Sequence, residues 1–97
     1  MDKKVFEGKK MRTQISQEEI EAGIRKLIDK LDFRLAQKGY GTFSSRHEIL
    51  GILTEEYDET IEAVRSGKIE DVSNELLDVA VASVFGMICI DSKKTDW

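Results

Sequence analysis

The chain has 97 residues, 40% of them hydrophobic and 35% charged, with a formal net charge of −4. This describes about one soluble globular domain, too apolar to be disordered and too short to bury most of its unfolded surface unaided. The acidic balance leaves no broad basic surface, so neither nucleic acid nor an anionic membrane is an expected partner. An anionic ligand would need a metal ion or a few local cations. Cys89 is the one cysteine and cannot form an intrachain disulfide. Its apolar surroundings in sequence read as a buried core thiol. No charged start leads into an apolar stretch and cleavage site, so no signal peptide is expected and a reducing cytoplasm is the expected compartment.

Residues 1–14 are charged and aperiodic and read as an N-terminal arm. Val5-Phe6 is the best strand candidate in the chain, and it is a weak one. Ser16-Gln17-Glu18-Glu19 is a capping-box pattern that opens a first helix over about 16–38. Ile20, Ile24, Leu27, Ile28, Leu31 and Leu35 then form one apolar stripe at helical spacing. Gly39-Tyr40-Gly41 ends it. Ser45-Arg46-His47-Glu48 is a second capping box, opening a helix over about 45–66. Its stripe is Ile49, Leu53, Tyr57, Thr60 and Val64, flanked by Ile52, Ile61 and Ala63, and Gly67 is a suitable C-cap.

The third helix spans about 69–91. From Leu76 to Ile90 it is apolar on nearly every face, which predicts burial all round. That run is shorter than the ~20 residues that cross a bilayer. Three helices of one small chain do not readily surround such an element, so a second subunit is expected to cover it. Residues 92–97 form a short tail with Lys93, Lys94 and Trp97. The expected class is all-α, a single three-helix domain completed as a homodimer or dimer of dimers.

Two acidic pairs stand out, Glu56 with Glu59 and Glu75 with Asp78. Each is spaced i, i+3, so each shares one helix face. With Ile49 as origin and ~100° per residue, the apolar arc of the second helix runs from about −60° to about 120°. Glu56 falls inside it at about −20° and Glu59 on its edge at about −80°, with Glu55 one step further out. Asp58 lies at about 180°, towards solvent. Asp78 sits in the nearly continuous apolar helix. Ionised carboxylates in such places are protonated, paired with cations, or bound to metal.

Cations are scarce on these two helices, and Arg34 of the first helix is the nearest candidate. A glutamate pair is ordinarily a solvated face, but two pairs on successive helices, each partly within an apolar face, favour a metal. A hard divalent ion suits all-oxygen ligands, so Mg²⁺ is expected, with Mn²⁺ as the alternative. Zinc lacks its Cys/His cluster, and a di-iron bundle lacks its Glu-x-x-His pairs.

With Glu55-Glu56-Tyr57-Asp58-Glu59 on one helix and Glu75-Leu76-Leu77-Asp78 on the next, the chain resembles the MazG-like all-α nucleoside triphosphate pyrophosphohydrolases. The resemblance covers about His47 to Ile90. It implies Mg²⁺-dependent cleavage of a (deoxy)nucleoside triphosphate to the monophosphate and pyrophosphate, in nucleotide-pool housekeeping. It further implies Glu56, Glu59, Glu75 and Asp78 as metal ligands. Glu55 would be a further ligand, or would position and deprotonate the attacking water.

The resemblance places the base near the first helix and the following loop, where Phe33, Tyr40, Phe43 and His47 are candidates. Three of them have a plainer reading: Phe33, off its helix stripe, as an oligomer contact; Tyr40 as a loop anchor; His47 as a solvent residue. Many family members carry basic residues in a further segment after the Glu-x-x-Asp helix. Here seven residues follow Ile90, so phosphate contacts are expected from Lys93, Lys94, Arg34 or a neighbouring subunit. The competing reading is a non-catalytic helical interaction module that keeps the acidic scaffold. A di-metal redox bundle ranks below both.

Overall fold

A computed structural model describes residues 12–95. They form three helices, α1 (Gln17–Lys38), α2 (Arg46–Ser66) and α3 (Ile69–Asp91), with no β-strand among the described residues. The class is all-α, and the helix bounds fall within a residue of those read from sequence. Most of the arm, Val5-Phe6 and Trp97 lie outside the described residues.

Local chemistry sets the helix ends. At α1, Ser16 Oγ accepts from Glu19 N–H at 3.1 Å while Glu19 Oε1 accepts from Ser16 N–H at 2.8 Å, a complete capping box. The expected second box is only half made. Ser45 Oγ accepts from Glu48 N–H at 3.3 Å, but the Glu48 carboxylate reaches past Ser45 and takes Ser44 N–H at 2.6 Å. An adjacent serine with its own hydroxyl, 3.3 Å from the same Oε1, competes for the carboxylate. Gly67 closes α2 in the left-handed conformation, φ 77°, which favours glycine. α3 has no side-chain cap, and Glu70 and Asp71 in its first turn complement the helix dipole.

α3 is the central element. α2 packs along it and α1 leans on it, while no Cα of α1 comes within 8 Å of a Cα of α2. A cleft therefore opens between α1 and α2, with α3 as its floor. At the far end Phe43, in the loop before α2, meets Phe85 of α3 edge to face at 5.1 Å. The segment after α3 holds that loop, since Thr95 Oγ1 donates to the Phe43 carbonyl at 2.8 Å.

Burial is sparse. Ala63, Val81 and Cys89 are the buried hydrophobic side chains among the described residues. Cys89 is a free, fully enclosed thiol, as expected of a core cysteine. The α1 stripe is packed only in its C-terminal half, where Leu27, Leu31 and Leu35 are half-buried, whereas Ile20, Ile24 and Ile28 are exposed. On α2, Tyr57 and Val64 are exposed rather than on the packed face. The helix has one partner, α3, so its contact arc is narrower than the full spread of apolar residues. What packs is Ile49, Ile52, Leu53, Glu56, Thr60, Ile61 and Ala63. Glu56 lies inside that arc.

α3 is not buried all round within one chain: Leu76, Met87, Ile88 and Ile90 face outward. As a whole helix of 23 residues it is also long and apolar enough to cross a membrane by length and composition. The expectation that its apolar run is too short therefore does not hold for the complete element.

Candidate metal centre

The cleft brings two helices' acidic residues together. Glu56 comes from α2, within its packed arc. Glu75 and Asp78 come from α3, one turn apart on the side facing α1 and α2. A carboxylate oxygen from each of the three lies within 4.8 Å of the others, and all three residues are half-buried. Ligands on opposite sides of one Mg²⁺ stand about 4.2 Å apart, given ~2.1 Å bonds. Neighbouring ligands stand closer, about 3.0 Å apart, so the three oxygens lie near the spacing of one ion's ligands and would draw together to share it. Glu56 Oε2 and Glu75 Oε2 are enclosed and have no hydrogen-bond partner. Buried polar atoms are ordinarily satisfied, and an orphaned carboxylate oxygen loses its hydration with nothing in return. An all-oxygen, anionic and under-satisfied donor set fits a hard divalent cation.

The electrostatics agree. Burial pushes the Glu56 carboxyl above the usual range, reinforced by Glu59 and Asp78, with Arg34 opposing and Glu55 adding a little. Glu75 is raised chiefly by burial, then by a hydrogen bond shared with the Glu59 carboxyl, then by the charges of Glu59, Asp78 and Glu56. Glu59 is thus exposed at the rim and coupled to Glu75, outside the three-oxygen group. Among the described residues, Asp78 is the member of the cluster that makes ion pairs. Arg34 Nη2 lies 3.2 Å from its Oδ1 and Lys30 Nζ 3.9 Å from the same atom. Arg34 was readable from sequence. Lys30 was missed, although it precedes Arg34 by one helical turn and so shares its face.

Two of the three acidic residues, Glu56 and Asp78, line a cleft of about 250 Å³, and Glu75 stands beside them outside its lining. Glu55 and Glu56 line it from α2, Arg34 and Lys38 from α1, and Asp78 from α3. Its other end is apolar, with Leu31, Leu35, Ile52, Val81 and Phe85 around Phe43. Sequence reasoning did not single out Lys38 or these aliphatic residues, because they look like ordinary helix-end and core positions.

Of the substrate-contact candidates, Phe43 and Arg34 line this cleft, whereas Phe33, Tyr40, His47, Lys93 and Lys94 do not. Phe33 faces a separate groove between α1 and α3, with Lys30 Nζ 5.8 Å from its ring centre. Tyr40 is 78% exposed and so anchors nothing in its loop. His47 stands exposed in the first turn of α2, and Lys93 and Lys94 are exposed beyond α3. Asp58, read as a solvent residue, is exposed.

Compared with protein-family models, curated proteins and solved structures, the chain gives no match.

Proposed function

We propose that the protein is a Mg²⁺-dependent nucleoside triphosphate pyrophosphohydrolase, releasing the monophosphate and pyrophosphate. The observation that carries this reading is the pair of enclosed, unpartnered oxygens of Glu56 and Glu75. Both lie beside Asp78, and Glu56 and Asp78 line a cleft that continues into an apolar, aromatic-lined end. Glu56, Glu75 and Asp78 would hold the ion, with Glu59 beside Glu75 to complete or adjust the set. When bound, the ion supplies offset of phosphate charge and polarisation towards attack.

The chain's own residues do the rest. Glu55, exposed at the cleft, would accept a proton from a water attacking the α-phosphorus. The bond from that phosphorus to the bridging oxygen breaks, and pyrophosphate leaves. Arg34 and Lys38 lie where they would meet phosphate oxygens, in place of Lys93 and Lys94. Phe43 and Phe85 offer the base an apolar wall. A protein of net charge −4 holds a polyanion only through such local positive charge.

The test is a panel of NTPs and dNTPs incubated with purified protein and magnesium, reading monophosphate and pyrophosphate. Turnover of at least one nucleotide that EDTA abolishes is the expected result. No turnover, together with a melting temperature indifferent to magnesium, would sink the reading. The non-catalytic interaction module would then stand, with Arg34 and Lys30 as the cluster's permanent partners.

A further inference from the structure

The loop before α2 forms part of the cleft, and the segment after α3 grips that loop. Gly39, Gly41 and Phe43 line the cleft from it. Thr42 Oγ1 donates to the Lys94 carbonyl at 3.2 Å, and Thr95 Oγ1 donates to the Phe43 carbonyl at 2.8 Å. The two bonds run in opposite senses, and each joins partners 52 residues apart. They form a matched clasp of two hydroxyls on two backbone carbonyls. Thr95 is half-buried, whereas Thr42 and Lys94 are exposed. The Thr95 bond is thus the shorter of the two and the better shielded from water.

The segment after α3 is shaped to make that clasp. Ser92 Oγ donates back to the Ile88 carbonyl at 2.7 Å, and Lys94 N–H donates to the Cys89 carbonyl at 3.1 Å. Cys89 is fully enclosed, so the turn rests on a fixed part of the molecule. Lys93 reverses the chain with φ 58°, a left-handed conformation that a residue with a Cβ adopts only at a cost. Such a backbone persists where the surrounding contacts fix it. Here it carries Thr95 to the Phe43 carbonyl. The Phe43 ring is held separately, edge to face on Phe85.

We infer that Thr95 is a positioning residue, whose hydroxyl fixes Phe43 as the wall against which the nucleobase stacks. This role rests on the nucleotide reading above and adds to it the residue that sets how tightly the base is held. Thr95 lies outside the cleft lining, so it acts through Phe43 rather than on the ligand. Its influence is confined to the base. Glu56, Asp78, Arg34 and Lys38, placed for the metal and the phosphates, stand on the helices, and none belongs to the clasped loop. Opening the clasp therefore weakens the hold on the base and leaves the polyphosphate half alone.

Thr95→Val keeps the shape of the side chain and removes the donor. With a nucleotide that the wild type turns over, KM is expected to rise about three- to tenfold, the range of one lost hydrogen bond, with kcat little changed. Inhibition by inorganic tripolyphosphate and the melting shift produced by magnesium should stay as in the wild type, and Thr95→Ser should restore KM. Thr42→Val, which opens only the exposed bond, should give a smaller change of the same kind. In a Phe43→Leu background Thr95→Val should move KM no further, because it acts through that ring. Hydrogen exchange reads the clasp without substrate: the amides of residues 40–44 should exchange faster in Thr95→Val, and those of α3 should not. A wild type that turns over no nucleotide would remove the nucleotide reading and this role with it. An active wild type whose KM is unmoved by Thr95→Val would overturn the role alone. So would additive effects of Thr95→Val and Phe43→Leu, unchanged exchange in the loop, or a parallel loss of tripolyphosphate inhibition and the magnesium shift, which would make Thr95 a general support of the fold.

Discussion

Glu56 sits where its helix packs, and this placement has consequences that can be measured without any substrate. Its carboxyl and that of Glu75 both titrate above the ordinary value because of burial and like charge. Below that value both states are protonated and nothing is gained or lost. As pH rises through the raised values, the folded protein holds protons that the unfolded chain has released, so stability falls with pH. The metal-free protein should therefore melt lower at pH 8 than at pH 5, and magnesium should restore much of the loss at pH 8. Glu56→Gln removes a charge from the cluster and should flatten the pH slope and raise the apo melting point by a few degrees. It should also abolish both turnover and the magnesium shift. Unfolding of this variant would instead make Glu56 a structural partner. The wheel made Glu56 and Asp78 legible in advance, because a carboxylate inside an apolar arc has few explanations. Lys30 was legible by its spacing from Arg34 and overlooked, whereas Lys38 and the displacement of Phe33 depend on how far α1 rolls over α3, and no local pattern encodes that.

At the scale of the helices, the boundaries were readable because caps are local: Ser16 with Glu19, Gly39 and Gly67 act within a turn of the chain. Which apolar residues would be covered was less readable. Tyr57 and Val64 belong to the stripe of α2 yet face outward, because α2 has one neighbour rather than two. Gly86 offers a clean test of the packing between α2 and α3. A Cβ there would meet Ile49 at 3.5 Å and Phe43 at 3.8 Å, ordinary contact distances. Alanine is favoured over glycine inside a helix by about 1 kcal/mol. Gly86→Ala should thus raise the melting temperature by about 4–8 °C. The same change at Gly67 should lower it by a similar amount, since the left-handed backbone there, φ 77°, disfavours any Cβ by about 1–2 kcal/mol. Thermal melts of both variants check the pair, and a destabilising Gly86→Ala would mean α2 and α3 approach more closely than described.

For the whole molecule, the balance of burial against chain entropy is the decisive quantity. Ordering a residue costs about 1–2 kcal/mol of backbone entropy, and the described chain sets three buried hydrophobic side chains against that. Ile20, Ile24 and Ile28 on α1 and Leu76, Met87 and Ile90 on α3 remain open, although each would contribute about 1.5–3 kcal/mol if fully buried. Folding and association should therefore be one process, and mass action then ties stability to protein concentration. Each tenfold dilution removes about 1.4 kcal/mol per dimer. Two chains of this size unfold with an entropy that turns this into a fall of about 4 °C in melting temperature per decade. Calorimetry from micromolar to hundreds of micromolar should show that drift in the wild type at fixed magnesium. A melting temperature independent of concentration would mean that the three helices stand alone, and that their open apolar faces serve something other than a second copy.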